Sequence, residues 1–141
     1  MIVDANLLLY ATDTESPFHR RAYPWLRAQL EGDSRLGIPW PTIIAFVRIV
    51  THPRVVANPL SPVAAWDVME NLLEHDVVWT PQPTMRHAAV LGRLIASHQV
   101  AGGLVPDAHL AALAIEHGVA VASADSDFAR FPEVRWENPL R

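Results

Sequence analysis

With 141 residues, half of them hydrophobic, the chain is long enough to bury one core and too apolar to be disordered. It has no cysteine, which excludes disulfides and thiolate metal sites, and its net charge of −4 argues against a broad basic surface for nucleic acid without excluding a local patch. All its Lys-or-Arg cations are arginine, so any mechanism that needs a catalytic lysine is excluded as well.

Met1 to Val3 is a short apolar run, the pattern of a strand buried on both faces, and a helical pattern follows through Leu7, Leu8 and Tyr10. Ser16-Pro17 predicts a helix start, with Ser at the cap and Pro at the first turn. That helix is expected to run to Leu30 with Ala22, Trp25, Leu26 and Leu30 on one face, before Gly32-Asp33-Ser34 ends it. Leu36 to Ile38 is a second candidate strand. Pro41-Thr42 opens a helix over Ile43 to Val50, with Arg48 its only charge. Ser61-Pro62 repeats the cap-plus-proline start, and the helix Val63 to Glu74 is expected to carry Ala64, Val68, Leu72 and Leu73 inward.

Val77 to Trp79 makes a third strand. Met85 to His98 predicts a helix with Ala88, Leu91, Leu94 and Ile95 facing in, and Ala101-Gly102-Gly103 a flexible joint. Pro106 to His117 is the clearest helix, with Leu110, Leu113, Ala114 and His117 in a stripe and Gly118 closing it. Val119 to Ala122 is a fourth strand, and Val134 to Trp136 a fifth at an edge. Strands alternating with helices predict one α/β domain over residues 1–141, a three-layer α/β/α sandwich with a mostly parallel sheet. No apolar run reaches a bilayer span, and Asp4 interrupts any signal-peptide layout, so a cytoplasmic protein with no membrane partner is expected.

Three acids share one logic. Asp4 ends the first strand, Asp125 follows the fourth, and Asp107 lies in the first turn of the helix that feeds the fourth. If the first and fourth strands are central and parallel, Asp4 and Asp125 emerge at one sheet edge, where open α/β folds bind ligands. The Asp107 helix runs antiparallel to the strand after it, which sets its start over that same edge. Each acid also has a purely structural use: Asp4 as a helix cap, Asp107 as a partner of the helix dipole, Asp125 and Asp127 as turn formers. Gathered together they repel one another and attract a proton or a cation, and hard oxygen donors without His or Cys point to Mg²⁺ or Mn²⁺. Such an ion suits phosphodiester hydrolysis by a water that it activates. The histidines are scattered, and His109 is expected on a different helix face from Asp107 with no catalytic role.

The segments Val-Asp-Ala-Asn-Leu-Leu-Leu-Tyr-Ala, Trp-Pro-Thr-Ile-Ile-Ala-Phe-Val-Arg-Ile-Val-Thr-His-Pro, Asp-Ala-His-Leu-Ala-Ala-Leu-Ala and Ala-Ser-Ala-Asp-Ser-Asp-Phe together resemble PIN-domain ribonucleases of the VapC toxin type, nearly end to end. The resemblance implies a Mg²⁺- or Mn²⁺-dependent endoribonuclease and a homodimer, neutralised by a VapB-type antitoxin whose tail occupies the active groove. It matches Asp4, Asp107 and Asp125 to the family's metal-site acids, and Asn6 and Ser123 to the small polar residues that support them. One point departs from it: many members carry a Glu in the helix after the second strand, where this chain has Ile43-Ile44-Ala45-Phe46-Val47-Arg48. That leaves the number of metals open, with Asp127 as a partial substitute, and keeps an inert domain that only binds an antitoxin or RNA as the alternative. Receiver-like and haloacid-dehalogenase-like phosphotransfer domains share an Asp at a strand end, but both rely on a lysine that this chain lacks.

Overall fold

A computed structural model describes residues 1–141. In chain order the elements are β1 (Ile2–Val3), α1 (Ala5–Thr12), α2 (His19–Glu31), β2 (Leu36–Gly37), α3 (Trp40–Val50), α4 (Pro62–Leu73), β3 (Val78–Trp79), α5 (His87–His98), α6 (Leu104–His117), β4 (Val121–Ala122), a 3₁₀ turn (Ser126–Arg130) and β5 (Trp136–Glu137). The five strands form one sheet in the order β3-β2-β1-β4-β5, and every pairing is parallel. β1 and β4 are neighbours in register, with Ile2 opposite Val121 and Val3 opposite Ala122. The sheet edge expected from the sequence is therefore present.

Two hydrophobic clusters flank the sheet, and the two-residue period of the strands divides side chains between them. Val3 and Ala122 point to the side packed by α1 to α4, with Leu7, Leu8, Phe46 and Met69. Ile2 and Val121 point to the other, with Leu113, Phe128 and Phe131 under α5 and α6. This is a three-layer α/β/α arrangement. β2 must lie close to its neighbours: a Cβ on Gly37 would meet the Pro81 ring at 2.8 Å and Ile2 at 3.1 Å. No helix is long and apolar enough to cross a membrane.

Three helix details differ from the sequence reading. The second helix begins at His19, not at Ser16-Pro17. The Ser16 hydroxyl instead accepts the Phe18 N–H at 3.2 Å, so this pair makes a turn ahead of the helix. In α4 the core line is Ala65, Met69 and Leu72, one residue round from the expected face, with Ala64 and Val68 only partly buried. The helix expected from Met85 begins at His87; Met85 is fully exposed and Ala88 faces solvent. The position that replaces Ala88 on the inner side is His87. Its ring bonds to Glu116 on α6, a partner that hydrophobic periodicity does not reveal.

Candidate active site

Asp4 stands where β1 gives way to α1. Its Oδ1 accepts the Ala5 N–H at 2.8 Å, so it is the N-cap of α1. Its Oδ2 accepts the Ser123 hydroxyl at 2.7 Å and the Asn6 amide at 3.3 Å. Asn6 also donates to Ser123 Oγ at 3.1 Å and accepts the Ala124 N–H at 3.2 Å, while Ser123 Oγ accepts the Asp125 N–H at 3.0 Å. Ser123 itself is fully buried. These bonds fasten the ends of β1 and β4 together and fix the Asp4 carboxylate. Two further bonds hold the frame: the buried Thr42 donates to the Val3 carbonyl at 2.8 Å, and the Trp136 ring N–H donates to the Ser123 carbonyl at 2.9 Å.

Asp107 lies in the first turn of α6, over the end of β4 as the crossover requires. Asp125 caps the 3₁₀ turn by accepting the Asp127 N–H at 2.9 Å, and this curls Asp127 back toward the other acids. One carboxylate oxygen each from Asp107, Asp125 and Asp127 lies within 4.8 Å of the others. Asp4 is the inner neighbour of this trio rather than a member of it. Burial pushes its carboxyl above the ordinary range, and the charge of Asp125 pushes the same way, against the bonds from Ser123 and Ala5. The strongest response is that of Asp107, pushed up from 3.8 to about 7 by burial and then by Asp4, Asp125 and Asp127. The predicted acids Asp4, Asp107 and Asp125 therefore share one electrostatic site, and Asp127 joins them. Asp125 and Asp4 are caps as well: the structural use and the clustering coexist.

Such a trio of hard oxygen donors fits a divalent cation, since a cation between them offsets the burial and the repulsion that together hold a proton on Asp107. No acid occupies Ile43 to Arg48 of α3, and Arg48 is exposed and forms no ion pair.

A second polar network went unread in the sequence. The Glu116 side chain is fully shielded from solvent, bonded to the His87 ring, and accepts the Thr84 hydroxyl at 2.6 Å and the Thr84 N–H at 2.9 Å. The other His87 nitrogen meets His109 Nδ1 at 3.0 Å. His109 thus faces α5 and away from the acids, in line with its expected helix face. Burial and the charge of His87 hold its pKa below the usual value, against the opposing pull of Glu116.

A parallel α/β/α sandwich with carboxylates gathered at the ends of its central strands makes a site with the donor set for a divalent cation. Residues 1–134 match the PIN domain. Ribonuclease VapC37 of Mycobacterium tuberculosis is 43% identical over 138 residues, covering 98% of this chain and 96% of that protein. Ribonuclease VapC33 of the same species is 38% identical over 148 residues, covering 100% and 99%. The crystal structure of VapBC2 from Rickettsia felis, bound to a DNA fragment from its promoter, superposes with a TM-score of 0.72 at 14% identity, covering 97% of this chain and 96% of that one. This chain belongs to the PIN-domain family, among its VapC ribonucleases.

Proposed function

We propose that residues 1–141 form a single Mg²⁺- or Mn²⁺-dependent endoribonuclease domain, the toxin of a toxin–antitoxin pair acting in the cytoplasm. The observation that carries this reading is the meeting of Asp107, Asp125 and Asp127 within 4.8 Å beside the half-buried Asp4. Asp107, Asp125 and Asp127 would hold the ion through their oxygens, and Asp4, fixed by Ser123, Asn6 and Ala5, completes the negative basin. When bound, a divalent ion lowers the pKa of water and neutralises charge on the attacked phosphate. The chain's own contribution is to hold these acids at fixed spacing on strand and helix ends, so that little rearranges during the reaction. The relatives' names supply the substrate class, RNA, and the neighbouring VapBC complex supplies a VapB-type antitoxin as partner. A homodimer belongs to this reading, with the exposed Trp40, Ile44, Val63 and Trp66 as apolar surface available for it.

The test is cleavage of RNA by the purified protein with and without Mg²⁺, compared with Asp4→Asn. Cleavage is expected only from the unaltered protein with metal, and a loss of at least a hundredfold from the variant, on the scale of removing a major transition-state charge contact. Equal cleavage by both proteins overturns the reading. The absence of an acid from Ile43 to Arg48 favours a second reading, an inert domain that only binds its partner. Mn²⁺ titration calorimetry separates the two, because an inert domain shows no heat of metal binding.

A further inference from the structure

Against α1 opens a cavity of about 590 Å³, a size typical of small-molecule sites. Its walls come from α1, the loop leading to α2, the end of α3 and the loop leading to α4. Asn6 lines it. This is the same Asn6 whose amide donates to Asp4 and Ser123, so the cavity and the acidic cluster share a wall. Asn6 is the one residue that links the two, so a nucleotide next to a phosphodiester held at the acids has this opening within reach across a single side chain.

The chemistry of the lining decides which part of that nucleotide enters. Nine of the seventeen lining residues are hydrophobic, and none is Arg or His, whereas Asp13 and Glu15 are present. A phosphate is repelled from such a space; a flat, uncharged ring is not. Phe18 stays 46% exposed although it packs on Tyr10, with ring centroids 4.8 Å apart and tilted by 42°. An exposed aromatic ring at a cavity wall is a stacking platform for a base. Asp13 is fixed as well, because its Oδ1 accepts the Glu15 N–H at 3.0 Å. A carboxylate is an acceptor-only group with two oxygens and about four lone-pair sites. Guanine alone among the RNA bases presents two adjacent donors, the ring N1–H and the exocyclic amino group, on its pairing edge. Adenine and cytosine set an acceptor nitrogen beside their amino group, and uracil flanks its single N–H with two carbonyls.

We propose that this cavity receives a guanine base of the RNA next to the cleaved bond, stacked against Phe18 and read by the Asp13 carboxylate. The proposal rests on the ribonuclease reading of the acidic cluster, and it adds a determinant of which RNA is cut. A peptide segment from a partner protein is the competing occupant of the same walls.

Two measurements test it separately from that reading. First, calorimetry of the unaltered protein with the four nucleoside monophosphates is expected to show GMP binding at least tenfold tighter than AMP, CMP or UMP, with Asp13→Asn removing the difference. Second, sequencing of the ends cut from a randomised RNA pool is expected to show guanine at one fixed position beside the cut. Asp13→Asn should flatten that position, and Phe18→Ala should raise KM on a guanine-containing oligonucleotide about tenfold, the usual scale for one lost base stack, with a smaller change in kcat. Cleavage with no fixed guanine, or with the same base profile after Asp13→Asn, overturns the base site and leaves the nuclease standing. Asp13-dependent GMP binding without any cleavage leaves the base site and removes the nuclease. Equal binding of all four nucleotides, or none, overturns the proposal and leaves the peptide as occupant. The GMP comparison needs no variant, so a misfolded substitution cannot mask the answer.

Discussion

Asp107 is the residue on which the acidic cluster acts most visibly. Its carboxyl titrates at about 7 because burial and the charges of Asp4, Asp125 and Asp127 all favour the protonated form. A cation bound there must displace that proton. Apparent Mn²⁺ affinity is therefore expected to fall about tenfold for each pH unit below 7, as expected for one competing proton, and to level off above about 8. Calorimetry across pH 5.5 to 8.5, roughly one and a half units either side of that titration, checks this; a flat profile shows that the proton on Asp107 is not in competition with metal. Asp127 explains why the sequence was only partly readable here. Two residues after Asp125, it has the spacing of an ordinary turn former, and only the 3₁₀ turn capped by Asp125 brings it back among the acids.

The turn that leads into α5 is tied to a side chain from another helix. Glu116 of α6 accepts both the hydroxyl and the N–H of Thr84, just before α5, and bonds to His87 in its first turn. It pins the turn that leads into α5 and the ring of that helix's first residue, although it caps none of the helix's own N–H groups. Burial alone pushes the Glu116 carboxyl up, but the bonds from Thr84 and His87 outweigh it and hold the pKa below 4.5. A depressed folded-state pKa adds stability that is complete above the unfolded value, near 4.5, and is lost as pH falls through the lower folded value. Glu116→Ala is expected to cost about 1–3 kcal/mol by leaving partly buried partners unmet, measured by urea denaturation at pH 7. The difference from the unaltered protein should shrink in acid, and a cost that does not change with pH would place the effect in packing alone. Nothing in the local pattern announces this network. His87 and Glu116 are 29 residues apart, and only the packing of α5 on α6 brings them together. The slip at the start of α2 has a different cause: Ser16-Pro17 satisfies a helix-start rule locally, but the Ser16 hydroxyl is taken by a turn bond to Phe18.

At the scale of the whole molecule, the sheet edge was legible because parallel crossovers leave little choice. Asp4 and Asp125 end strands that must run the same way, and the helix before β4 must start over that strand's end. The cavity beside Asn6 was not legible, since two loops whose course no periodicity records close it against α1 and α3. The cluster also sets how stability depends on conditions. Without metal, the raised pKa of Asp107 means that the folded protein holds a proton the unfolded chain releases near 3.8. That contribution is fully present below 3.8 and is lost as pH rises through about 7. Because Asp107 is partly exposed, the loss is on the order of 1 kcal/mol after solvent screening. A divalent ion reverses it: at a hundred times its Kd, Mn²⁺ should add about 2.7 kcal/mol, visible as a higher Tm. The rise in Tm is expected to be larger at pH 8 than at pH 6 for the same ion concentration. An equal rise at both pH values would separate the ion from these carboxylates.

The clasp among Asp4, Asn6 and Ser123 joins positions up to 119 apart in the chain. Contacts of such long range form late, after the intervening polypeptide has been made and folded back. A growing chain still attached to a ribosome carries Asp4 early, yet lacks the strand that turns it inward and the loop that supplies its companions. On the proposed reading, a half-made copy lacks the fixed Asp4 carboxylate that cleavage needs, and a chain cut before β4 is expected to leave RNA intact.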